Sequence, residues 1–295
     1  MYRTAMLIVN MFSGRGVSHG VLGGIVSRLA DSGLAVTVYT LKNHTAQELA
    51  AIYASTYDIV VCVGGDGTLS SVTSGLMELS NPPPLGYIPT GTANDVAYTL
   101  GLSKNVSVAV SDIITGTPRP LDMGQFGDDY FIYIAAFGAF TDVSYQTPQS
   151  AKRTLGHLAY VLGGLAAVTS IKTHIAHVEC DEFTLDDEFV FGAVTNSTSI
   201  AGFVRLDDSL VDLADGLFEV VLVRRPLSFT DFGNILTEIR RKSFHSDNVM
   251  LFRTKKVTFT FDEDVSWTRD GENGGTHRFI EISNHHAPLQ IISNK

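Results

Sequence analysis

Cysteine is scarce in this chain. Cys62 and Cys180 are the only two in 295 residues, and Cys62 sits within a strongly apolar run. Two isolated cysteines exclude a disulfide framework and read as reduced residues of a cytosolic protein. Basic charge is also in deficit, with 21 Lys and Arg against 31 Asp and Glu, a net charge of -10. Such a balance argues against a nucleic-acid partner, whose binding depends on neutralising phosphates. It leaves a membrane surface open, because local basic patches govern that contact. The first residues, MYRTAMLIVN, lack the long apolar segment of a signal peptide and fit a first strand. No strand is followed by GxGxxG, which disfavours a nucleotide-binding dehydrogenase. Internal repeats and low-complexity linkers are absent as well.

One segment comes near the length of a membrane span. Residues Thr154 to Ile171, TLGHLAYVLGGLAAVTSI, carry no formal charge. His157, two central glycines and a polar end interrupt it, so a core or membrane-surface helix is expected.

What is present organises into two parts. Short apolar runs at Ala5–Val9, Ala35–Leu41 and Asp58–Val63 alternate with helical patterns at Val21–Leu29, Thr45–Ala54 and Leu69–Leu79. A short strand after NPPPLGYIP and helices over Asn94–Leu100 and Val106–Ile114 continue the series. Alternation of this kind predicts a parallel sheet covered on both faces. Near TGTPRPLDMG, residues 115–124, the pattern turns β-rich. Runs at Tyr130–Phe140, Thr173–Glu179, Glu188–Asn196, Leu217–Arg224, Lys256–Asp262 and Arg278–Ser283 predict an antiparallel region. Helices over 154–171 and 228–242 are the exceptions. The expected division is an α/β domain over 1–118 and a β-rich, sandwich-like domain over 119–295. The final PLQIISNK is free to pack on either.

The stretch VVCVGGDGTLSSV, residues 60–72, places Gly64, Gly65, Asp66, Gly67 and Thr68 where a buried strand meets a helix. Glycines there allow close backbone approach, and a helix N-terminus favours an anion. Two further strand ends repeat the logic: GYIPTGTANDVA, 86–97, and VNMFSGRG, 9–16. In a parallel sheet all three lie along one edge, where ligands bind. Three such turns point to a nucleotide site.

GGDGT at 64–68, GTxND at 91–95 and Asn-x-x-Ser-Gly at 10–14 resemble the diacylglycerol kinase catalytic-domain family. The likeness is closest to its soluble bacterial lipid kinases, relatives of sphingosine kinases and more distantly of NAD kinases. RPLDMGQF at 119–126, LADGLFEVVLV at 213–223 and RDGE at 269–272 follow in the family's order, so the resemblance spans the chain.

The resemblance implies an ATP- and Mg²⁺-dependent phosphoryl transfer to a lipid hydroxyl, with the site between the two domains. Asn10, Ser13, Gly14, Thr40, Gly64, Gly65, Asp66, Gly67, Thr68, Ser71, Thr92 and Asn94 would form the ATP site. Asp66 would meet phosphate with repulsion, so it is expected to act through magnesium or its bound water, with Asp122 as a second carboxylate. Asp270 and Glu272 correspond to the family's catalytic Asp-Gly-Glu, and either could be the general base. A structural Mg²⁺ is implied at the Asp215 side chain and the carbonyls of Asp212 and Leu217. Ala214 and Ser209 depart from the family pattern there, which would weaken that site.

For the acceptor, Leu155, Leu158, Leu162 and Leu165 offer a groove wall at helical spacing. Arg224, Arg225, Arg240, Arg241, Lys242, Arg253, Lys255 and Lys256 cluster in the second domain and would orient it on anionic lipid. The expected enzyme is thus cytoplasmic and peripheral to the inner membrane surface, as a monomer or a homodimer. Diacylglycerol leads among acceptors. Phosphatidylglycerol, a sphingoid base, a prenol, NAD, or a non-catalytic binding role are the alternatives.

Overall fold

A computed structural model describes residues 2–14, 16–139, 172–200, 204–207, 211–244 and 247–294. The predicted helix at 154–171 and its leucine stripe lie outside them.

The first part runs β1 (Thr4–Val9), α1 (His19–Asp31), β2 (Ala35–Thr40), α2 (Ala46–Tyr53), β3 (Ile59–Gly64), α3 (Asp66–Met77), β4 (Leu85–Pro89), α4 (Asp95–Thr99) and α5 (Val106–Thr115). The strands pair in parallel in the order β4-β3-β1-β2. All six residues of β3 are buried, and alternate side chains feed two cores. Val60 and Cys62 join Leu49, Ala50, Leu69, Val72 and Leu76 of α2 and α3. Ile59, Val61 and Val63 join Ile25 and Leu29 of α1 and Val110 and Ile113 of α5. A strand covered on both faces has no polar side, so its sequence reads as one apolar run. Helix starts are set locally. Ser18 caps α1, and Thr45 closes a capping box with Glu48 at the start of α2.

The second part contains β5 (Thr117–Phe126), β6 (Asp129–Phe131), β7 (Ile134–Gly138), β8 (His174–Cys180), β9 (Thr184–Thr195), β10 (Ser199–Ile200), β11 (Val204–Arg205), β12 (Phe218–Arg224), α6 (Phe229–Arg241), β13 (Val249–Thr254), β14 (Lys256–Arg269) and β15 (Glu272–Ser293). The neighbours within this part pair antiparallel around an aromatic core that includes Phe126, Phe131, Phe137, Phe259, Phe261 and Trp267. Most ring pairs there meet edge-on or tilted, as with Phe137 and Trp267 at 4.8 Å, while Phe259 and Phe261 stack.

The two parts share one sheet. β15 pairs with β14 from Lys256↔Ser283 to Arg269↔Glu272, then with β5 from Ile282↔Phe126 to Ser293↔Thr117. Near its end, Ile291 also pairs in parallel with Leu85 of β4. PLQIISNK therefore bridges both parts.

TGTPRPLDMG is mostly strand β5, where the turn to a β-rich pattern is expected. Two features differ from expectation. The run predicted from Tyr130 holds two strands, β6 and β7, because the Asp270 carboxylate takes the backbone N–H groups of Ile132, Tyr133 and Ile134. β13 has no counterpart in the sequence reading.

Candidate active site

The ends of β1 and β3, together with the loop that follows β2, open onto one cleft of about 510 Å³. Its walls include Asn10, Ser13, Gly65, Gly67, Thr68, Ser71 and Glu272 from the predicted set. Close backbone packing shapes the floor. A Cβ on Gly91 would lie 2.6 Å from Gly65 Cα, so the β3 and β4 turns touch without side chains between them. Gly14 has φ of 60°, and a Cβ there would meet the Thr90 carbonyl at 2.2 Å. Only glycine satisfies both constraints.

Helix α3 starts at this floor. Its N-cap is Gly65, which offers no side-chain acceptor. The first-turn residues Gly67 and Thr68 line the cleft, so the positive end of the helix faces it. Asn10 bridges the first two strand ends: its Nδ2 donates to Thr68 Oγ1 at 3.0 Å, and its Oδ1 accepts from the Phe12 N–H at 3.1 Å. The Ser71 hydroxyl accepts from the Gln47 N–H at 3.0 Å and fixes α2 beside α3.

Other predicted residues stand behind the wall. Gly64 packs on the Thr68 side chain. Thr40 ends β2 on an exposed position, and Thr92 is exposed beyond β4. Asn94 is buried with φ of 54°, and its Nδ2 donates to the Gly91 carbonyl at 2.8 Å. It shapes the turn that holds Gly91 against Gly65.

The GGDGT aspartate points away from helix α3's own N-terminus. Asp66 Oδ2 accepts from the Asp95 N–H at 3.1 Å and Oδ1 from the Val96 N–H at 3.2 Å, so it caps α4. Burial pushes its carboxyl up, and the backbone donors of Val96, Asp95 and Asn94 pull in the other direction. A carboxylate has about four lone-pair positions, so Asp66 keeps capacity for a magnesium-bound water.

Asp122 differs from its expected role. It is fully buried and surrounded by protein donors: Gly216 N–H at 2.6 Å, Ala287 N–H at 2.7 Å, His286 Nδ1 at 3.1 Å and Asn284 Nδ2 at 3.4 Å. Those four use its acceptor positions, and none is left for a metal or its water. It ties β5 to the 213–217 loop and to the register shift in β15.

The two carboxylates of RDGE part company. Asp270 is buried with φ of 49°, and its oxygens accept from Ile132, Tyr133 and Ile134 N–H at 2.8, 3.0 and 3.1 Å. Ser70 adds a hydroxyl. Burial pushes its carboxyl up despite these donors. Glu272, one turn residue further, is exposed on the cleft wall. A Cβ on Gly67 would come within 3.0 Å of its Oε1, which places that carboxylate beside the first turn of α3.

Leu41, His44, Thr45 and Ala46 also line the cleft. A sequence signal existed for them: the Thr45-x-x-Glu48 capping box fixes where α2 begins, and that start faces the cleft.

Among the described residues no helix is long and apolar enough to cross a membrane. Several basic residues of the second part are committed to acidic partners. Arg224 meets Asp187, Arg225 meets Glu188, Arg253 meets Asp215 and Glu219, and Lys256 meets Glu281. Arg240, Arg241 and Lys242 stay exposed at the end of α6.

The family described as the diacylglycerol kinase catalytic domain matches residues 4–126. A second, the YegS C-terminal NAD kinase beta sandwich-like domain, matches residues 136–283. A diacylglycerol kinase of Bacillus subtilis (strain 168) is 30% identical over 293 residues, covering 96% of this chain and 95% of its own. One from Staphylococcus epidermidis is 30% identical over 302 residues, covering 100% of this chain and 93% of its own. A solved structure from Bacillus anthracis str. Sterne, 25% identical, superimposes with a TM-score of 0.83 over 99% of this chain and 97% of its own. With a glycine-walled cleft at the strand ends, an uncapped helix start and a carboxylate beside it, this chain belongs to the diacylglycerol kinase catalytic-domain family of lipid kinases.

Proposed function

We propose that the enzyme transfers the γ-phosphoryl group of ATP to the free hydroxyl of diacylglycerol, forming phosphatidic acid. The names of its relatives support that acceptor. The observation that carries the chemistry is the Glu272 carboxylate on the cleft wall beside α3. Phosphoryl transfer needs the phosphates held, their charge offset and the acceptor hydroxyl placed in line. The Gly67 and Thr68 turn, with Asn10 and Ser13 opposite, forms the phosphate-holding wall. Glu272 is the general base that takes the acceptor proton. Asp270 is a positioning residue: its lone pairs are spent on the 132–134 backbone, which sets the turn carrying Glu272. Bound magnesium would offset charge between the phosphates, and Asp66, through a water, is the residue here with capacity to hold it. Leu41, His44 and Thr45 bound the far side of the cleft.

In this proposal residues 1–118 bind nucleotide, and residues 119–295 supply Glu272 and the lipid groove. The enzyme works from the cytoplasm on the inner face of the membrane. Arg240, Arg241, Lys242 and Lys255 expose charge for anionic headgroups.

The test is transfer of labelled phosphate from ATP to a panel of lipids in mixed micelles, with NAD as a soluble acceptor. Label on diacylglycerol, lost in Glu272→Gln, is the expected result. Label on NAD alone, or on another lipid with none on diacylglycerol, would overturn it.

A further inference from the structure

The family resemblance sets a structural Mg²⁺ between the Asp215 carboxylate and the carbonyls of Asp212 and Leu217. The residues here do not fit that ion. Asp215 Oδ2 is taken by Arg253 Nη2, and Oδ1 accepts from the Leu217 N–H at 3.0 Å. The Leu217 carbonyl accepts from Asn284 Nδ2 at 3.2 Å. Asp212 turns its Oδ1 onto the Ala214 N–H at 3.1 Å.

We infer that in this chain the Arg253 guanidinium replaces the divalent cation, so that the Asp212–Leu217 loop is closed without metal. Its placement follows from the sheet. Arg253 of β13 stands opposite Glu219 of β12 in the antiparallel register, and its Nε reaches Glu219 Oε1 at 3.1 Å. The other end of the same guanidinium then meets Asp215, four residues before Glu219 and outside the strand. One planar cation therefore joins a strand carboxylate to a loop carboxylate, which a fork of fixed donors does well.

A magnesium ion asks for near-octahedral oxygen ligands at about 2.0–2.1 Å and keeps several of them as water. Here the site's strongest ligand oxygen already faces a cation, and a second positive charge beside it would be repelled. Ala214 removes the acidic residue that could have outweighed that repulsion. On the opposite side Asp122 holds the Gly216 N–H at 2.6 Å, so protein donors and acceptors grip the loop from both flanks.

The experiment uses the full chain, stripped with EDTA, with Mn²⁺ as the probe ion and no nucleotide present. Bound Mn²⁺ is counted by electron paramagnetic resonance. Thermal midpoints are compared in EDTA and in millimolar magnesium. The expected result is no stoichiometric Mn²⁺ dependent on Asp215 and the same midpoint in both buffers. Arg253→Gln should lower the midpoint by roughly 6–12 °C, since it strands a buried carboxylate. Stoichiometric Mn²⁺ retained by the wild type and lost in Asp215→Asn would overturn the inference. So would an Arg253→Gln protein that melts with the wild type in EDTA. Should that variant fail to fold, the wild-type count and the Asp215→Asn control decide the question. Neither readout involves lipid phosphorylation, so the outcome stands apart from the identity of the acceptor.

Discussion

Asp270 and Glu272 share one turn but lie in different surroundings, one buried among backbone donors and one exposed on the cleft, so a paired substitution can test the roles proposed for them. Asp270→Asn keeps the shape of the side chain. One oxygen still accepts from the Tyr133 and Ile134 N–H groups, but the new amide then points its own N–H at the Ile132 donor. An orphaned buried donor costs about 1–3 kcal/mol, and two hydrogen bonds that lose ionic assistance weaken by about 0.5–1 kcal/mol each. Relief from burying a charge offsets part of this, because burial already disfavours the ionised form. A net loss of about 3 kcal/mol follows, which lowers the thermal midpoint by roughly 6–12 °C. Glu272→Gln behaves oppositely. It is exposed, so stability should hold within about 0.5 kcal/mol while kcat falls on the order of 10²–10⁴-fold. The assay pairs calorimetry with steady-state lipid phosphorylation at temperatures below both midpoints. A fully stable Asp270→Asn enzyme without turnover would refute the assignment. Full turnover in Glu272→Gln would do so as well.

Two more outcomes follow from the same geometry. Gly67→Ala brings a methyl within 3.0 Å of Glu272 Oε1 and forces that flexible carboxylate aside. About tenfold lower kcat is expected with unchanged or slightly raised stability, since Ala favours the helix by about 1 kcal/mol, and an unchanged kcat would count against Glu272 as the base. Burial pushes the Glu219 carboxyl up to about 7 against the pull of Arg253. Between its unfolded value near 4.3 and about 7, the folded chain holds the extra proton. Its contribution is therefore full below about pH 4 and lost as pH rises through 7, a change of roughly 4 kcal/mol. Denaturant titrations from pH 5 to 8 should show that decline, and Glu219→Gln should flatten it. A wild-type curve that rises across this range would contradict the shift.

The sequence disclosed the parts governed by neighbours along the chain. Alternation placed every helix of the first part to within a few residues, and the three glycine-bearing strand ends converge as parallel topology requires. What stayed hidden depends on remote partners. The donors Gly216 and Ala287 that occupy Asp122 lie 94 and 165 residues away, so no local pattern reveals why that aspartate is unavailable to a metal. β15 was legible as two separate runs, Arg278–Ser283 and PLQIISNK, because the shift between His285 and Leu289 breaks its period-two rhythm. Asp66 was legible as a functional-looking carboxylate, but its direction toward α4 depends on how two turns stack.

The pairing of β15 with both parts of the sheet has a consequence for biosynthesis. Strands β1 to β4 leave the ribosome long before residues 285–293, yet β4 completes its pairing only when Ile291 reaches Leu85. A nascent chain must therefore carry an open β4 edge through the synthesis of some two hundred residues, and exposed edges invite association with other chains. Contacts so distant in sequence also slow the final closure of the fold. The strand that turns out Glu272 at one end is the same strand that seals this edge at the other, so the glycine-bearing turns meet the Glu272 carboxylate only as the sheet becomes whole.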